Sequence, residues 1–314
     1  MVGLNLEDCE LLAIVGATAS GKSELAINIA VKEAKRGRKC HIINADSFSL
    51  YRKMDIGTAK TPLETREDLE SRCGIRHYMI DVLDPTESAN VAVYQREVLD
   101  IIRELKGAGV LPILVGGSGL YIRSVIDNFE FQSVDLNLRR ELENRAATEG
   151  VEVLFSELER KDPETAKTVD PQNVRRIVRA LEVLNSSAQK YANRLPEYVY
   201  RAENTVQIAI QHSREELDLK IEERTRRMRE LGLEEEVRGL YQSGQLGETA
   251  RKAIGYSEFI DYFEGVLNPA NLKPQTLDDV FLRITQHTKR LVRRQESWFN
   301  RDPRIRFVQP QVVL

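Results

Sequence analysis

Cysteine is scarce in this chain. Cys9, Cys40 and Cys73 are odd in number and scattered, which excludes a disulfide framework or a cysteine-rich zinc site and fits a reducing, cytoplasmic setting. The four histidines, His41, His77, His212 and His287, lack the spacing of a zinc-binding H-E-x-x-H helix, so structural roles are expected for all of them. No apolar run approaches the roughly 20 residues that cross a bilayer, and Glu7, Asp8 and Glu10 stand where a secretory leader carries basic residues. Neither a targeting signal nor a membrane partner is expected. Positive charge is not in excess either: the formal net charge of -3 rules out a uniformly basic nucleic-acid coat. Any RNA contact must be regional, drawn from the 30% of residues that are charged. Internal repeats and low-complexity tracts are also missing.

What is present is an alternation of short apolar runs and helical patterns. A chain of 314 residues, 41% of them hydrophobic, can bury one sizeable core and a smaller satellite. Leu11, Leu12, Ala13, Ile14 and Val15 form an unbroken apolar run ending in Gly16, as expected of a strand buried on both faces of a parallel sheet. Leu25, Ala26, Ile29, Ala30 and Ala34 then share one helix face, with Gly37 as a stop. Similar runs predict strands at 40–45, 78–83, 110–115, 206–210 and 305–308. The pattern indicates an α/β fold with a doubly wound parallel sheet, whose ligands sit beyond the carboxyl ends of the strands. Between 127 and 200 the strand signals vanish, and Val174, Ile177, Val178 and Leu181 line one face of a helix over 173–184. The expected division is a core over 1–126, an inserted helical domain over 127–200, and the rest of the core with C-terminal helices over 201–314. Thr276 and Asp279 have the spacing of a capping box opening a long terminal helix.

Gly16, Ala17, Thr18, Ala19, Ser20, Gly21, Lys22 and Ser23 fit the pattern G-x-x-x-x-G-K-[ST], between a predicted strand and a predicted helix as a phosphate loop requires. Glycines let backbone amides converge on a diphosphate, the helix N-terminus adds partial positive charge, Lys22 neutralises oxygens, and Ser23 can ligate magnesium. The fold expected is therefore P-loop NTPase-like. The loop specifies a polyphosphate but not the group transferred, and no Walker-B carboxylate with a hydrolytic switch region stands out. Asp46 follows the second predicted strand, at the functional edge of the sheet, where either an N-cap or a catalytic role is open to it.

The stretch from Asp46, Ser47, Phe48 and Ser49 through Met54, Asp55, Ile56, Gly57, Thr58, Ala59 and Lys60 resembles the signature that follows the P-loop in tRNA dimethylallyltransferases. The resemblance continues through His77 to Pro85, Val115 to Tyr121, Arg179 to Val183 and Ile254 to Tyr256, in the usual order. Where that family has Pro and Thr in its P-loop, this chain has Ala17 and Ser23, and neither change removes a needed donor. The resemblance implies transfer of a dimethylallyl group from dimethylallyl diphosphate to N6 of adenosine 37, beside the anticodon, with magnesium as cofactor and the tRNA anticodon stem-loop as partner. It implies that Asp46 is the general base and that Arg224 approaches the diphosphate. It further implies tRNA contacts at Asp46, Ser47, Phe48, Ser49, Ser118 and Arg139, along Arg175, Arg176, Ile177, Val178 and Arg179, and over Lys252, Ala253, Ile254, Gly255, Tyr256 and Ser257. Arg123 is a weaker phosphate-binding candidate.

Read as residues alone, the basic run Lys289, Arg290, Arg293 and Arg294 seeks phosphate, whereas Trp298 and Phe299 are expected to be core anchors. A monomer is the expected state. Three rival activities stay open on the sequence: prenylation of free adenylate, phosphoryl transfer by a small-molecule kinase, and RNA binding without catalysis.

Overall fold

The computed structural model describes residues 6–62, 64–66, 69–72, 74–131, 135–186, 196–265 and 276–309. Cys73 lies outside them. The chain divides into two compact units, one formed by Met1–Asn128 with Tyr198–Leu314, the other by Phe129–Glu197.

At the centre of the larger unit is β1 (Leu11–Val15), buried along its whole length. It pairs in parallel with β6 (Leu111–Gly116) on one side and β7 (Thr205–Ile210) on the other, which is why its apolar run is unbroken. β2 (Cys40–Asn44) joins the far side of β6, β5 (Ile75–Tyr78) follows β2, and β8 (Arg306–Val308) lies outside β7. These six strands are parallel, in the order β5-β2-β6-β1-β7-β8. A hairpin of β3 (Glu64–Arg66) and β4 (Leu69–Arg72) extends the sheet antiparallel beyond β5.

Period-two alternation sends the central strand's side chains to opposite layers. Leu11, Ala13 and Val15 pack with Val98, Ile102 and Leu105 of α2 (Val91–Gly107) and with Ile122, Val125 and Ile126 of α3 (Gly119–Ile126). Leu12 and Ile14 pack with Leu25, Ala26 and Ala30 of α1 (Lys22–Lys35). Each fully buried Leu or Ile contributes about 1.5–3 kcal/mol, so both helical layers are fastened to the strand that carries the phosphate loop.

The strand predicted over 78–83 is displaced. β5 ends at Tyr78, and Met79 and Asp81 take positive φ angles of 60° and 59°, which break the pleat. Residues beyond it turn to the loop after β2: the Asp81 and Leu83 amides donate to the Ser49 and Leu50 carbonyls at 3.2 and 2.9 Å.

A further cluster in the same unit packs Tyr51 and Met54 of that loop against α9 (Leu233–Gln242), α10 (Tyr256–Glu264) and α11 (Leu277–Phe299). Thr276 and Asp279 form the capping box that opens α11. Trp298 and Phe299 join the core under α3 and β1, as their size predicts. Among the described residues no helix is long and apolar enough to cross a membrane.

The smaller unit is helical. It contains α4 (Leu136–Thr148), α5 (Val151–Lys161), the short α6 (Pro163–Ala166) and α7 (Val174–Ser186). Its own core is built on Leu142, Leu154, Leu158, Val169, Ile177, Val178 and Leu181.

Candidate active site

The carboxyl ends of β2, β6 and β1 lie side by side, and each is followed by a loop with chemistry-bearing residues. After β1 the chain enters the phosphate loop. Gly16, Ala19 and Gly21 have φ angles of 132°, 65° and 84°, a run of left-handed conformations that turns successive amides to one side. α1 begins at Lys22 behind Gly21, which has no side chain to cap it, so the helix's first amides are left for an anion. The Ser20 hydroxyl is buried and finds no hydrogen-bond partner among the described residues. His212 holds the loop from below by donating from Nε2 to the Ser20 carbonyl at 3.0 Å.

Lys22 folds its ammonium onto the Ala17 carbonyl of its own loop. Desolvation lowers its pKa to about 8, against the opposing pull of Asp46 and with a further push from Arg224. Arg224 comes from α8 (Arg214–Glu230) on the face that also carries Leu217, Ile221 and Met228. Leu217 and Ile221 pack on Ala17 of the phosphate loop, which delivers Arg224 to the site. Desolvation pulls its guanidinium below the ordinary value and Asp46 pulls it back. The helix's glutamates do not hold it: among the described residues Glu223 pairs with Arg226 and Glu222 with Lys289. Lys22, Asp46 and Arg224 thus form one electrostatic cluster.

Asp46 is held by a tight turn. Its amide donates to Asn44 Oδ1 at 3.0 Å, its carboxylate accepts from the Phe48 amide at 2.9 Å, and Asn44 Nδ2 donates to the Met79 carbonyl at 2.8 Å. Tyr94 locks the same strand end by donating its hydroxyl to the Asn44 carbonyl at 2.7 Å. Burial, then Tyr121 and the Asp46 charge, push the phenol well above its usual value, so it stays protonated.

β6 lies between β1 and β2, so Asp46 is not next to the phosphate loop by strand order: the Gly116 to Gly119 loop separates them. A Cβ on Gly116 would sit 2.2 Å from the Ala45 carbonyl oxygen, and one on Gly119 would sit 2.1 Å from Trp298 Nε1. Ser118 spans to the Asp46 turn, donating its amide to the Ala45 carbonyl at 3.3 Å and accepting from the Ser47 amide at 3.2 Å. Gln295 of α11, which nothing in the local sequence marks beyond its place after a basic run, accepts from the Thr18 amide at 2.8 Å and donates to the Gly117 carbonyl at 3.0 Å.

The remaining candidates divide by exposure. Ser47 and Phe48 are half-buried, while Ser49 is buried and its carbonyl serves Asp81. Ala253 and Tyr256 are buried in the cluster around α9 to α11, and Gly255 is covered too. Lys252 is exposed, and with Ile254 and Ser257 it lines an open cleft of about 480 Å³ whose other wall is His287, Arg290, Arg293 and Arg294. Glu258 ties the cleft's two walls by accepting from the Gly255 amide at 2.7 Å, from Ser257 Oγ at 3.0 Å and from His287 Nδ1. Burial pushes this carboxyl up, but the bonds from His287 and from the Gly255 and Glu258 amides outweigh it and hold it below the ordinary range. In the same region Glu236 accepts from the amides of Asp55, Ile56 and Gly57 and from the Tyr256 hydroxyl.

In the helical unit Arg175 and Arg176 are exposed, Arg179 pairs with the buried Glu182 at 2.9 Å, and Arg139 lies 3.5 Å from Glu143. Ile177 and Val178 supply that unit's core, so their side chains offer no surface to RNA; adjacency to arginines in the motif is what drew them into the candidate set. The Ser49, Ala253 and Tyr256 side chains are buried as well. Arg123 is corrected as well: it is buried, ion-paired to Asp127 and stacked on Tyr198 at 4.3 Å.

Comparisons with known proteins agree on one group. The model of the family described as IPP transferase matches residues 49–302. A tRNA dimethylallyltransferase of Bifidobacterium animalis subsp. lactis is 43% identical over 96% of this chain and 83% of its own length. The crystal structure of a full-length tRNA isopentenylpyrophosphate transferase from Bacillus halodurans superposes with a TM-score of 0.63 at 34% identity, covering 95% of this chain and 89% of the other. A eukaryotic dimethylallyltransferase acting on tRNA shares the fold, with a TM-score of 0.75 at 22% identity over 95% of this chain and 73% of its own.

Proposed function

Because the chain belongs to the IPP transferase family, we propose that it transfers a dimethylallyl group from dimethylallyl diphosphate to N6 of adenosine 37, next to the anticodon of tRNA, releasing diphosphate. The observation that carries this reading is the arrangement at the sheet edge, where the phosphate loop after β1 leaves its amides for an anion and Ser118 ties the neighbouring glycine loop to the turn that holds Asp46.

Adenine N6 attacks the allylic carbon, the bond from that carbon to the diphosphate oxygen breaks, and its electron pair leaves with the diphosphate. Asp46 takes the proton that N6 sheds, since an exocyclic amine is a weak nucleophile without a base. Lys22 and the loop amides hold the diphosphate, and Arg224 meets the charge that grows on it. Ser23 is exposed in the first turn of α1, and among the described residues no cluster of three acidic, His or Cys side chains could cage a metal by itself. That fits magnesium, which takes few protein ligands and completes its shell with phosphate oxygens. Ser23 would hold it, and when bound it supplies further neutralisation of the leaving group.

The acceptor is RNA because an adenine in a folded loop must be unstacked before N6 is reachable, a cost that phosphate contacts can offset. Arg139, Arg175, Arg176 and Arg179 of the helical unit, Ser118, and Lys252 with Ser257 at the basic cleft are assigned to those contacts. The enzyme is assigned to the cytoplasm and to the monomeric state.

The test is to mix purified protein, magnesium, dimethylallyl diphosphate and unmodified tRNA, then digest the RNA and weigh its nucleosides. Isopentenyladenosine is the expected product, and its absence overturns the reading. Comparing kcat/KM for an anticodon stem-loop and for free AMP at two salt concentrations should show a large RNA advantage that shrinks with salt. Equal efficiency would point to an adenylate enzyme.

A further inference from the structure

Three loops have to keep their spacing for the transfer to occur: the phosphate loop after β1, the glycine loop after β6 and the Asp46 turn after β2. Backbone contacts and the Ser118 hydroxyl already join the second to the third. Gly116 lies directly on the Ala45 carbonyl, and Ser118 bonds to both Ala45 and Ser47. The first loop is tied to the second by a side chain from a distant helix.

We propose that Gln295 is a positioning residue for the transfer reaction, setting the distance between the loop that grips the diphosphate and the turn that carries Asp46. Its primary amide receives the Thr18 N–H on Oε1 at 2.8 Å and donates from Nε2 to the Gly117 carbonyl at 3.0 Å. The two partners determine which way the amide faces, because a backbone N–H must meet the oxygen and a carbonyl must meet the nitrogen. No other side chain of that length offers one acceptor and one donor with fixed polarity on a planar group. The fit is close on the far side too: a Cβ on Gly117 would lie 2.5 Å from Gln295 Nε2 and 3.2 Å from the Gly16 carbonyl oxygen. The linkage therefore runs from Thr18 through Gln295, Gly117, Ser118 and Ser47 to Asp46. Because Gln295 follows Arg293 and Arg294, which line the basic cleft, the helix that faces the RNA also sets this spacing. The proposal rests on the prenyl-transfer reading above.

Gln295→Met keeps the length and removes both hydrogen bonds. A displacement of about 1 Å between reacting groups costs on the order of 100-fold in rate, so kcat should fall by about 10- to 100-fold while KM for tRNA stays within about 3-fold. Gln295→Glu supplies a readout that a merely structural role would not move. Ionised, it presents an oxygen to the Gly117 carbonyl; protonated, it restores the donor and keeps the acceptor for Thr18. The ratio of Gln295→Glu to wild-type kcat should therefore rise as pH falls from 8 to 5.5. A Gln295→Met enzyme with wild-type kcat well below its melting temperature, or a ratio flat with pH, would overturn the proposal. If Gln295→Met does not fold, the pH ratio alone decides. Wild-type protein that makes no isopentenyladenosine would instead indict the reaction assignment.

Discussion

Two glycine-rich loops stand next to each other on the sheet edge, and they use glycine for different reasons. In the phosphate loop, Gly16 and Gly21 are chosen for backbone angle: a Cβ on either would meet nothing closer than 3.7 Å, but their φ angles of 132° and 84° are those that side chains resist. In the loop after β6, neither Gly116 nor Gly119 has a positive φ, and a Cβ would strike the Ala45 carbonyl or the Trp298 ring. The first loop is built to leave amides unsatisfied for a ligand. The second is built to bring backbone and helix into contact, so that what it carries does not move. One loop binds, the other aligns, and Asp46 acts where alignment meets binding.

The sharpest way to break that contrast is Asp46→Ala. If both loops only prepare the site, removing the base should cut turnover by about 10²- to 10⁴-fold while leaving diphosphate binding and melting temperature near wild type. A near-normal rate, measured by single turnover, would mean that the chemistry lies elsewhere.

Next in size is Gly116→Ala against Gly16→Ala. Forcing a methyl onto the Ala45 carbonyl costs about 1–3 kcal/mol or more, so Gly116→Ala should melt several degrees lower and lose kcat through a displaced Asp46 turn. Gly16→Ala carries backbone strain of about 1–3 kcal/mol and should melt lower too, but it leaves the Asp46 turn in place, so its loss of activity should come through diphosphate affinity. Titration with diphosphate and kcat at saturating donor separate the two, and identical profiles would erase the distinction.

Lys22→Met sharpens the binding half. A lysine whose folded pKa is lowered to about 8 from 10.5 carries its full desolvation penalty below pH 8, and the penalty fades as pH rises towards 10.5. Lys22→Met should therefore melt higher than wild type at pH 7, with the gap closing by pH 10.5, while donor binding is lost. A lower melting temperature at pH 7 would show that the charge stabilises the empty loop.

The smallest effect belongs to the helical unit, where Arg176→Ala should weaken tRNA binding and reduce the dependence of log affinity on log salt by roughly 1. The relative rates of the glycine-loop variants should be unaffected.

The strand and helix bracketing the phosphate loop were legible because β1 is buried on both faces and α1 has one apolar stripe, and each leaves a plain periodic trace. The helices α4 to α7 fall where that trace is lost. Lateral order was not legible: nothing in the order of strands along the chain says that β6 lies between β1 and β2. The end of β5 was misplaced because Met79 and Asp81 take positive φ without a glycine to announce it. Gln295 was illegible for another reason, since its two partners lie 277 and 178 residues away and its neighbours are the louder arginines. Arg224, in contrast, shares the buried spacing of Leu217, Ile221 and Met228, a signal that points it inward before any family is considered.

Glu236 gives one carboxylate to three consecutive amides and to the Tyr256 hydroxyl, while the ring of Tyr256 occupies the place where a Cβ on Gly57 would be, 2.4 Å away. Gly57, Glu236 and Tyr256 therefore work as one latch, each part fitted to the others. A double-mutant cycle on Glu236→Gln and Tyr256→Phe should give a coupling of about 0.5–3 kcal/mol, whereas simple additivity would mean that the two side chains act separately.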